Sequence, residues 1–266
     1  MTLPALDPHA LFDVSGKCAV VIGATGAFGK VACATLGKAG AKLVVTAGNA
    51  KALGELQGEL DEAGFASTCV NLRPDSEVDC EAIVAAAVQA YGGVDILVVA
   101  SGMNDVALIG DLTPERFQTV MLANVEGAWL IARAVGKQMI AQGRGGKVVF
   151  TSSARGKLGH PAGYSAYCAS KSAIDGLTKA LGCEWGKHGI TVNAIAPTVF
   201  RSPLTAWMFA DDEKAIAVRE GFLSRVPVGR LGEPDDLAGP LLFLTSRASD
   251  FHTGHIVYAD GGYTAG

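Results

Sequence analysis

The sequence predicts an α/β domain with a seven-stranded parallel sheet and helices on both faces, and three observations predict it. Short runs that are apolar on both faces recur along the chain, helical patterns separate them, and glycines cluster where one gives way to the next. A strand with no polar face belongs in a sheet that is covered on both sides. A helix between consecutive strands returns the chain so that the next strand runs parallel to the last.

The elements follow in order. "CAVVI" (18–22) is the first strand, followed by a helix over 27–39. "AKLVVT" (41–46) is the second strand and leads to a helix over 50–63. "ASTCV" (66–70) precedes a helix over 76–91, and "VDILVVA" (94–100) is the fourth strand. Thr113, Pro114 and Glu115 supply a cap, a first-turn proline and a dipole-matched acid, so a long helix starts there and runs to about 142. "GKVVFTS" (146–152), a helix over 164–187, "ITVNAIA" (190–196) and "HIVYAD" (255–260) complete the alternation. It fills residues 1–266, which predicts a single domain. Residues 199–233 break the rhythm after the carboxyl end of a strand, where such sheets bind ligands, and read as a substrate lid carrying Trp207, Met208 and Phe209.

The bulk composition narrows the function. An apolar fraction of 49% and a charged fraction of 18% describe a well-buried globular chain. A net charge of −4 gives no electrostatic basis for binding nucleic acid or an anionic membrane. The first sixteen residues, with Pro4, Asp7, Pro8 and Asp13, lack the basic start and apolar run of a secretory leader. No apolar stretch reaches the ~18 residues of a membrane span. A cytoplasmic protein is expected. The six cysteines form no C-x-x-C pair and read as small hydrophobes, with Cys168 the one nearest a motif.

"VIGATGAFGK" sets Gly23, Gly26 and Gly29 between a strand and a helix. In that context the backbone turns tightly, exposes N–H groups and aims a helix N-terminus at a phosphate. The pattern alone also fits a flavin, a nucleotide sugar or a mononucleotide. "YCASK" places Tyr167 and Lys171 one turn apart on one face of a helix, where an ammonium beside a phenol lowers its pKa. Such a pair exchanges a proton with an alcohol oxygen. Ser153, at the end of the preceding strand, meets the same cleft and can donate to a developing alkoxide. A serine hydrolase fits worse, because "GYSAY" lacks the second elbow glycine and sits in a helical pattern. No Cys/His spacing suggests a metal.

Together with "VDILVVASG", "NVEGAWLIARA", "VVFTSSARG", "YSAYCASKSAIDGLTKAL", "ITVNAIAP" and "TGHIVYADGGYTA", these motifs resemble the short-chain dehydrogenase/reductase family over almost the whole chain. The resemblance implies a Rossmann fold, a nicotinamide cofactor and a tetrad of Asn124, Ser153, Tyr167 and Lys171. In that tetrad Tyr167 is the acid/base and Ser153 polarises the substrate oxygen. Lys171 holds the nicotinamide ribose and depresses the tyrosine pKa, and Asn124 anchors a water. The reaction implied is hydride transfer between the cofactor and a small secondary alcohol or ketone.

Cofactor contacts implied by the same alignment of motifs are Gly23, Thr25, Gly26, Ala27, Phe28 and Gly29 in the glycine loop, then Ala47, Gly48 and Asn49 after the second strand. Asn71 and Leu72 follow the third strand, Ala100, Ser101 and Gly102 the fourth, and Pro197, Thr198 and Val199 the sixth. Several positions depart from the family pattern: Ile22 stands for its threonine and Ala27 for a glycine, while Val99-Ala100-Ser101-Gly102 replaces Asn-Asn-Ala-Gly. Pro197-Thr198 replaces Pro-Gly, and the adenine-facing aspartate is Asn71. The Gly23-x-x-Gly26-x-x-Gly29 spacing resembles the extended branch of the family, set in a chain otherwise like the shorter branch.

Where NAD-preferring members carry a ribose-binding carboxylate, this chain has Ala47. That removes repulsion of a 2′-phosphate and leans the cofactor toward NADP(H) over NAD(H), although no arginine stands in its place. Lys30 and Lys51 are the cations offered for the phosphate. On the substrate side Arg155, Lys157, His160 and Arg201 gather charge at the cleft mouth, with Tyr164 and Trp207 as further contacts, which suggests a sugar acid or polyol. The aromatic cluster of the lid suits a bulkier apolar ketone instead. The resemblance also implies a homotetramer formed through the helices that begin near Thr113 and Tyr164. The departures leave open a second reading, a non-catalytic partner subunit with weak cofactor affinity, against which four intact tetrad positions argue.

Overall fold

The computed structural model describes residues 7–266; the first six, Pro4 among them, lie outside it. Strands β1 (Cys18–Ile22), β2 (Lys42–Thr46), β3 (Ser67–Val70), β4 (Ile96–Val99), β5 (Gly146–Thr151), β6 (Ile190–Pro197) and β7 (Ile256–Ala259) form one sheet. Every pairing is parallel, in the order β3-β2-β1-β4-β5-β6-β7. The chain leaves β1 in one direction to build β2 and β3, then returns to place β4 on the other side of β1. The carboxyl ends of β1 and β4 therefore diverge, and the crevice between their loops is where a sheet of this kind receives a ligand.

Alternate strand residues face opposite sides. Val20, Ile22, Leu97, Val99 and Phe150 join Ile83 of α4 (Glu77–Tyr91), Ile131 of α6 (Gly127–Gln142) and Ile174 of α8 (Ser165–Trp185) in one core. Val21, Leu43, Val98 and Val149 join Leu36 of α2 (Ala27–Lys38), Leu56 of α3 (Ala50–Glu62) and Leu241 of α10 (Asp235–Thr245) in the other. Each fully buried Leu, Ile or Phe contributes roughly 1.5–3 kcal/mol, so two such layers hold the strand ends rigidly. α10 is absent from the sequence reading. Pro240 inside it signals a break, yet Leu237, Leu241 and Leu244 recur at helical spacing and are buried, and their packing outweighs the missing N–H.

Between α1 (Pro8–Leu11) and the tail, the other differences also lie in helices. The long helix expected from Thr113 is α5 (Pro114–Met121) and α6, joined by a π-helical turn over Leu122–Glu126. One wide turn re-aims the side chains that follow it, and Asn124 sits in that turn, buried. Residues 199–233 leave the sheet through a parallel bridge between Phe200 and Gly232. They carry a 3₁₀ turn, Ala206–Phe209, and α9 (Glu213–Leu223). α7 (Ala154–Lys157) is a single turn after β5.

Candidate active site

The glycine loop is shaped by two demands on its backbone. Gly23 has φ +75° and a Cβ there would stand 2.7 Å from the Ser101 backbone, so only glycine fits the turn. Gly23 and Ala24 donate their N–H groups to Thr46 O at 3.0 and 2.9 Å, which pulls the loop toward the end of β2. At Gly29 a Cβ would lie 2.7 Å from Ala24 Cα, so its hydrogen lets α2 sit against the loop. No side chain caps α2 at Gly26, and the first N–H groups of the helix remain free for an anion.

The loop opens onto a cleft of about 690 Å³. Gly23, Thr25, Gly26, Ala47, Gly48, Asn49, Leu72, Ala100, Ser101 and Gly102, all expected from the sequence, line it. Thr46 also lines it, and its buried Oγ1 has no partner among the described residues. An uncapped helix start, an extended groove and a spare hydroxyl fit a dinucleotide. Phe28 is buried in the core and offers only backbone, while the Asn49 carboxamide caps α3 by accepting from Ala52 N at 3.1 Å. Asn71 donates to Ala47 O at 2.7 Å and is not among the residues that line the cleft. Pro197, Thr198 and Val199 end or follow β6, outside the lining of this cleft.

The four tetrad positions come together where β5, α8 and the π-turn meet. Asn124 Oδ1 accepts from Met103 N at 2.7 Å; its Nδ2 donates to Met103 O at 2.8 Å and to Ser170 Oγ at 2.9 Å. This amide therefore ties the loop after β4 to α8. A Cβ on Gly102 would reach both Asn124 Oδ1 at 3.4 Å and Lys171 Nζ at 3.5 Å, which places the two polar groups side by side. Lys171 is buried, donates to Thr151 O at 2.7 Å and lies 5.5 Å from the Tyr167 ring centroid.

The electrostatics differ from the sequence expectation. Burial drives Lys171 down to about 8, with Asp175 pulling the other way. Burial raises the Tyr167 phenol, and the neighbouring Ser153 hydroxyl acts against that rise. A lysine that loses its proton near 8 is neutral before a raised phenol ionises, so in the protein alone it does not depress the tyrosine. Two residues not singled out from sequence brace this corner. Buried Asp175 accepts from Ser152 Oγ at 2.5 Å, one residue before Ser153, and Ser170 donates to Tyr167 O at 2.8 Å. Both lie in strong motifs, and only the folded register shows what they touch.

A family model described as enoyl-(acyl carrier protein) reductase matches residues 23–264. An uncharacterized oxidoreductase of Mycobacterium tuberculosis is 51% identical over 257 residues, covering 96% of this chain and 94% of its own. The gluconate 5-dehydrogenase of Gluconobacter oxydans is 34% identical over 255 residues, 96% of this chain and 97% of that one. The chain belongs to the short-chain dehydrogenase/reductase family. Among solved structures, a gluconate 5-dehydrogenase from Burkholderia cenocepacia in complex with NADP and tartrate superposes with a TM-score of 0.90 at 29% identity, covering 98% of this chain and 100% of that one. The protein is accordingly an NAD(P)-dependent oxidoreductase of CH–OH groups, and its relatives named by activity are dehydrogenases rather than non-catalytic subunits.

Just after β5, Arg155 donates to Gly159 O at 2.8 Å and to Tyr263 Oη at 3.0 Å. Its guanidinium carbon lies 5.4 Å from the Tyr263 ring centroid, and that of Arg225 lies 4.5 Å from the same ring. Neither arginine has a carboxylate partner among the described residues. His160 is held below its usual pKa by burial, then by Arg155 and Arg225. The His160 ring lies 4.5 Å from that of Tyr164, which in turn meets Tyr167 edge-on at 6.3 Å. Two cations offered from sequence are occupied elsewhere: Lys157 donates to Thr264 O at 2.8 Å, and Arg201 pairs with Glu233 at 2.9 Å. Arg225 and Tyr263 escaped the sequence reading, because no motif marks a residue brought next to Arg155 from after α9 or from the chain end.

Proposed function

We propose that this short-chain dehydrogenase/reductase transfers a hydride between NADP(H) and a secondary hydroxyl or ketone of a hydroxylated carboxylic acid, with Tyr167 as acid/base. The observation that carries the substrate class is the pair of guanidiniums without a carboxylate partner among the described residues, Arg155 and Arg225, beside His160 and one aromatic step from Tyr167. A carboxylate is the group such a pair recognises. The relatives include gluconate and 2-dehydro-3-deoxy-D-gluconate dehydrogenases, whose substrates carry that group.

When bound, the nicotinamide ring supplies or accepts the hydride. In the reducing direction Tyr167 Oη gives its proton to the substrate oxygen, and in oxidation it takes the proton back. Ser153 donates to the same oxygen and stabilises its developing charge. Lys171 would hold the ribose hydroxyls, and Asn124 ties the loop after β4 to α8 through Met103 and Ser170. Burial raises the phenol and so keeps Tyr167 protonated at neutral pH, the state needed of an acid. Residues 199–233 act as a lid hinged at the Phe200–Gly232 bridge and the Arg201–Glu233 ion pair. Trp207, 52% exposed on that lid, favours a second reading with a bulkier apolar ketone.

One domain, a homotetramer and a cytoplasmic setting complete the reading. Exposed Phe117, Leu122 and Trp129 along α5 and α6 support association through that face, and three buried free thiols suit a reducing compartment. No helix among the described residues is long and apolar enough to cross a membrane. The experiment is a screen of aldonates, alditols and aryl ketones with both cofactors, followed through nicotinamide absorbance. We expect aldonates to lead, and Arg155→Ala and Arg225→Ala each to raise KM for them about tenfold or more while sparing alditols. Unchanged KM in both variants overturns the carboxylate reading.

A further inference from the structure

The neutral turn after β2 has a cation that its own sequence does not supply. We infer that Arg73, from the segment after β3, reads the 2′-phosphate of the dinucleotide and makes this site selective for NADP(H). The inference rests on the dinucleotide reading of the cleft given above.

Ala47, Gly48 and Asn49 carry no charge and no carboxylate, so nothing in that turn repels a phosphate or claims a ribose hydroxyl pair. A Cβ on Gly48 would stand 2.5 Å from Arg73 Cδ and 2.9 Å from its Cγ. The aliphatic stem of Arg73 thus fills the space that a side chain at 48 would take, and its guanidinium is carried to the end of β2. Gly48 and Arg73 both line the cleft that begins at the glycine loop. In sheets of this type the ribose nearest the adenine meets the end of the second strand, and an arginine there accommodates a 2′-phosphate.

The other nearby cations do not line the cleft. Lys30 pairs with Glu59 at 2.7 Å, and Lys51 is 88% exposed, 3.9 Å from Glu55. Arg73 touches one acid, Asp75, through Nε at 3.4 Å. That contact uses the inner edge of the fork and leaves both terminal nitrogens without a protein acceptor among the described residues. A planar fork with two free N–H edges matches two phosphate oxygens, which a point-charged lysine does less well. Asp75 fixes the fork's orientation, and with Arg73 gone its carboxylate would repel the phosphate.

The test is calorimetric binding of 2′,5′-ADP, 5′-AMP, NADPH and NADH to the wild type, Arg73→Ala, Arg73→Lys and Gly48→Ala. The wild type should bind 2′,5′-ADP more tightly than 5′-AMP, and NADPH more tightly than NADH. Arg73→Ala should weaken 2′,5′-ADP and NADPH about 10- to 100-fold while 5′-AMP and NADH change less than about twofold. Arg73→Lys should fall between, and Gly48→Ala should mimic a partial loss by displacing the stem. Equal weakening of phosphorylated and unphosphorylated ligands would mean that Arg73 packs on the adenine, and would overturn the inference. Unchanged 2′,5′-ADP affinity in Arg73→Ala would overturn it as well. A wild type that binds neither dinucleotide would instead bring down the cofactor reading on which it rests.

Discussion

Replacing Lys171 with methionine should abolish turnover and at the same time make the protein more stable at pH 7. The lysine is buried to 3% exposure, and burial brings it from 10.5 to about 8. A lowered lysine pKa means that the folded state binds the proton less tightly than the unfolded chain. The stability cost is therefore fully present below about 8 and is relieved as the pH rises from there to the unfolded value of 10.5. A gap of about 2.5 units at about 1.4 kcal/mol each makes the cost of charging this side chain about 3 kcal/mol. Methionine keeps the volume, removes the charge and gives up the bond to Thr151 O, which returns about 1–2 kcal/mol. The net expectation is a gain of about 1–2 kcal/mol at pH 7 that shrinks to nothing or reverses near pH 10. Urea unfolding of both proteins at several pH values measures it, because other alkaline titrations cancel in the difference. A variant less stable than wild type at pH 7, with a difference that does not change between pH 8 and 10.5, would refute the argument.

Two further outcomes follow from the same geometry. Gly29→Ala sets a methyl against the Ala24 backbone and should cost about 1–3 kcal/mol in urea unfolding and weaken dinucleotide binding; Gly54→Ala, in open space on α3, should gain about 0.5–1 kcal/mol and leave binding alone. Ser153→Ala removes the hydroxyl that holds the phenol down, so the Tyr167 pKa should rise further. Alcohol oxidation then needs a higher pH to reach its plateau, and kcat should fall about 10²-fold; a profile that stays in place would show that another group sets the alkaline limb.

The sheet was legible because its central strands β1, β4 and β6 bury both faces, as a covered parallel sheet requires. β1 matches its expected limits, and the other six differ by one or two residues at an end, where the last ladder bonds fray. The glycine loop and the tetrad positions were legible for a similar reason: few residue types can make those turns or move those protons. What stayed hidden depends on neighbours far apart in sequence. α10 forms across its proline because apolar side chains find a core, a decision made by packing and not by propensity. The π-turn that aims Asn124 has no local signature in "LANVE". Lys171 titrates near 8 because the fold removes its water, which no spacing of tyrosine and lysine records.

Charge placement divides the two kinds of knowledge most clearly. From the sequence, the turn after β2 is neutral and Lys30, Lys51, Arg155, Lys157 and Arg201 are the cations on offer; in the structure Lys30 and Arg201 pair with glutamates, Lys157 donates to a backbone carbonyl, and Lys51 stays largely exposed. Arg73 stands there instead, twenty-five positions on from Gly48 in the chain and in van der Waals reach of it in space, while Arg225 reaches the Tyr263 ring from just after α9. The sequence by itself determined the layered sheet, the glycine turn between β1 and α2 and which polar side chains stand in the motifs around Tyr167, because local backbone rules and residue chemistry dictate them. Only the tertiary structure decided which charges are spent on partners and which remain free to meet a ligand, because a long side chain's role depends on what lies within a few ångströms of its tip.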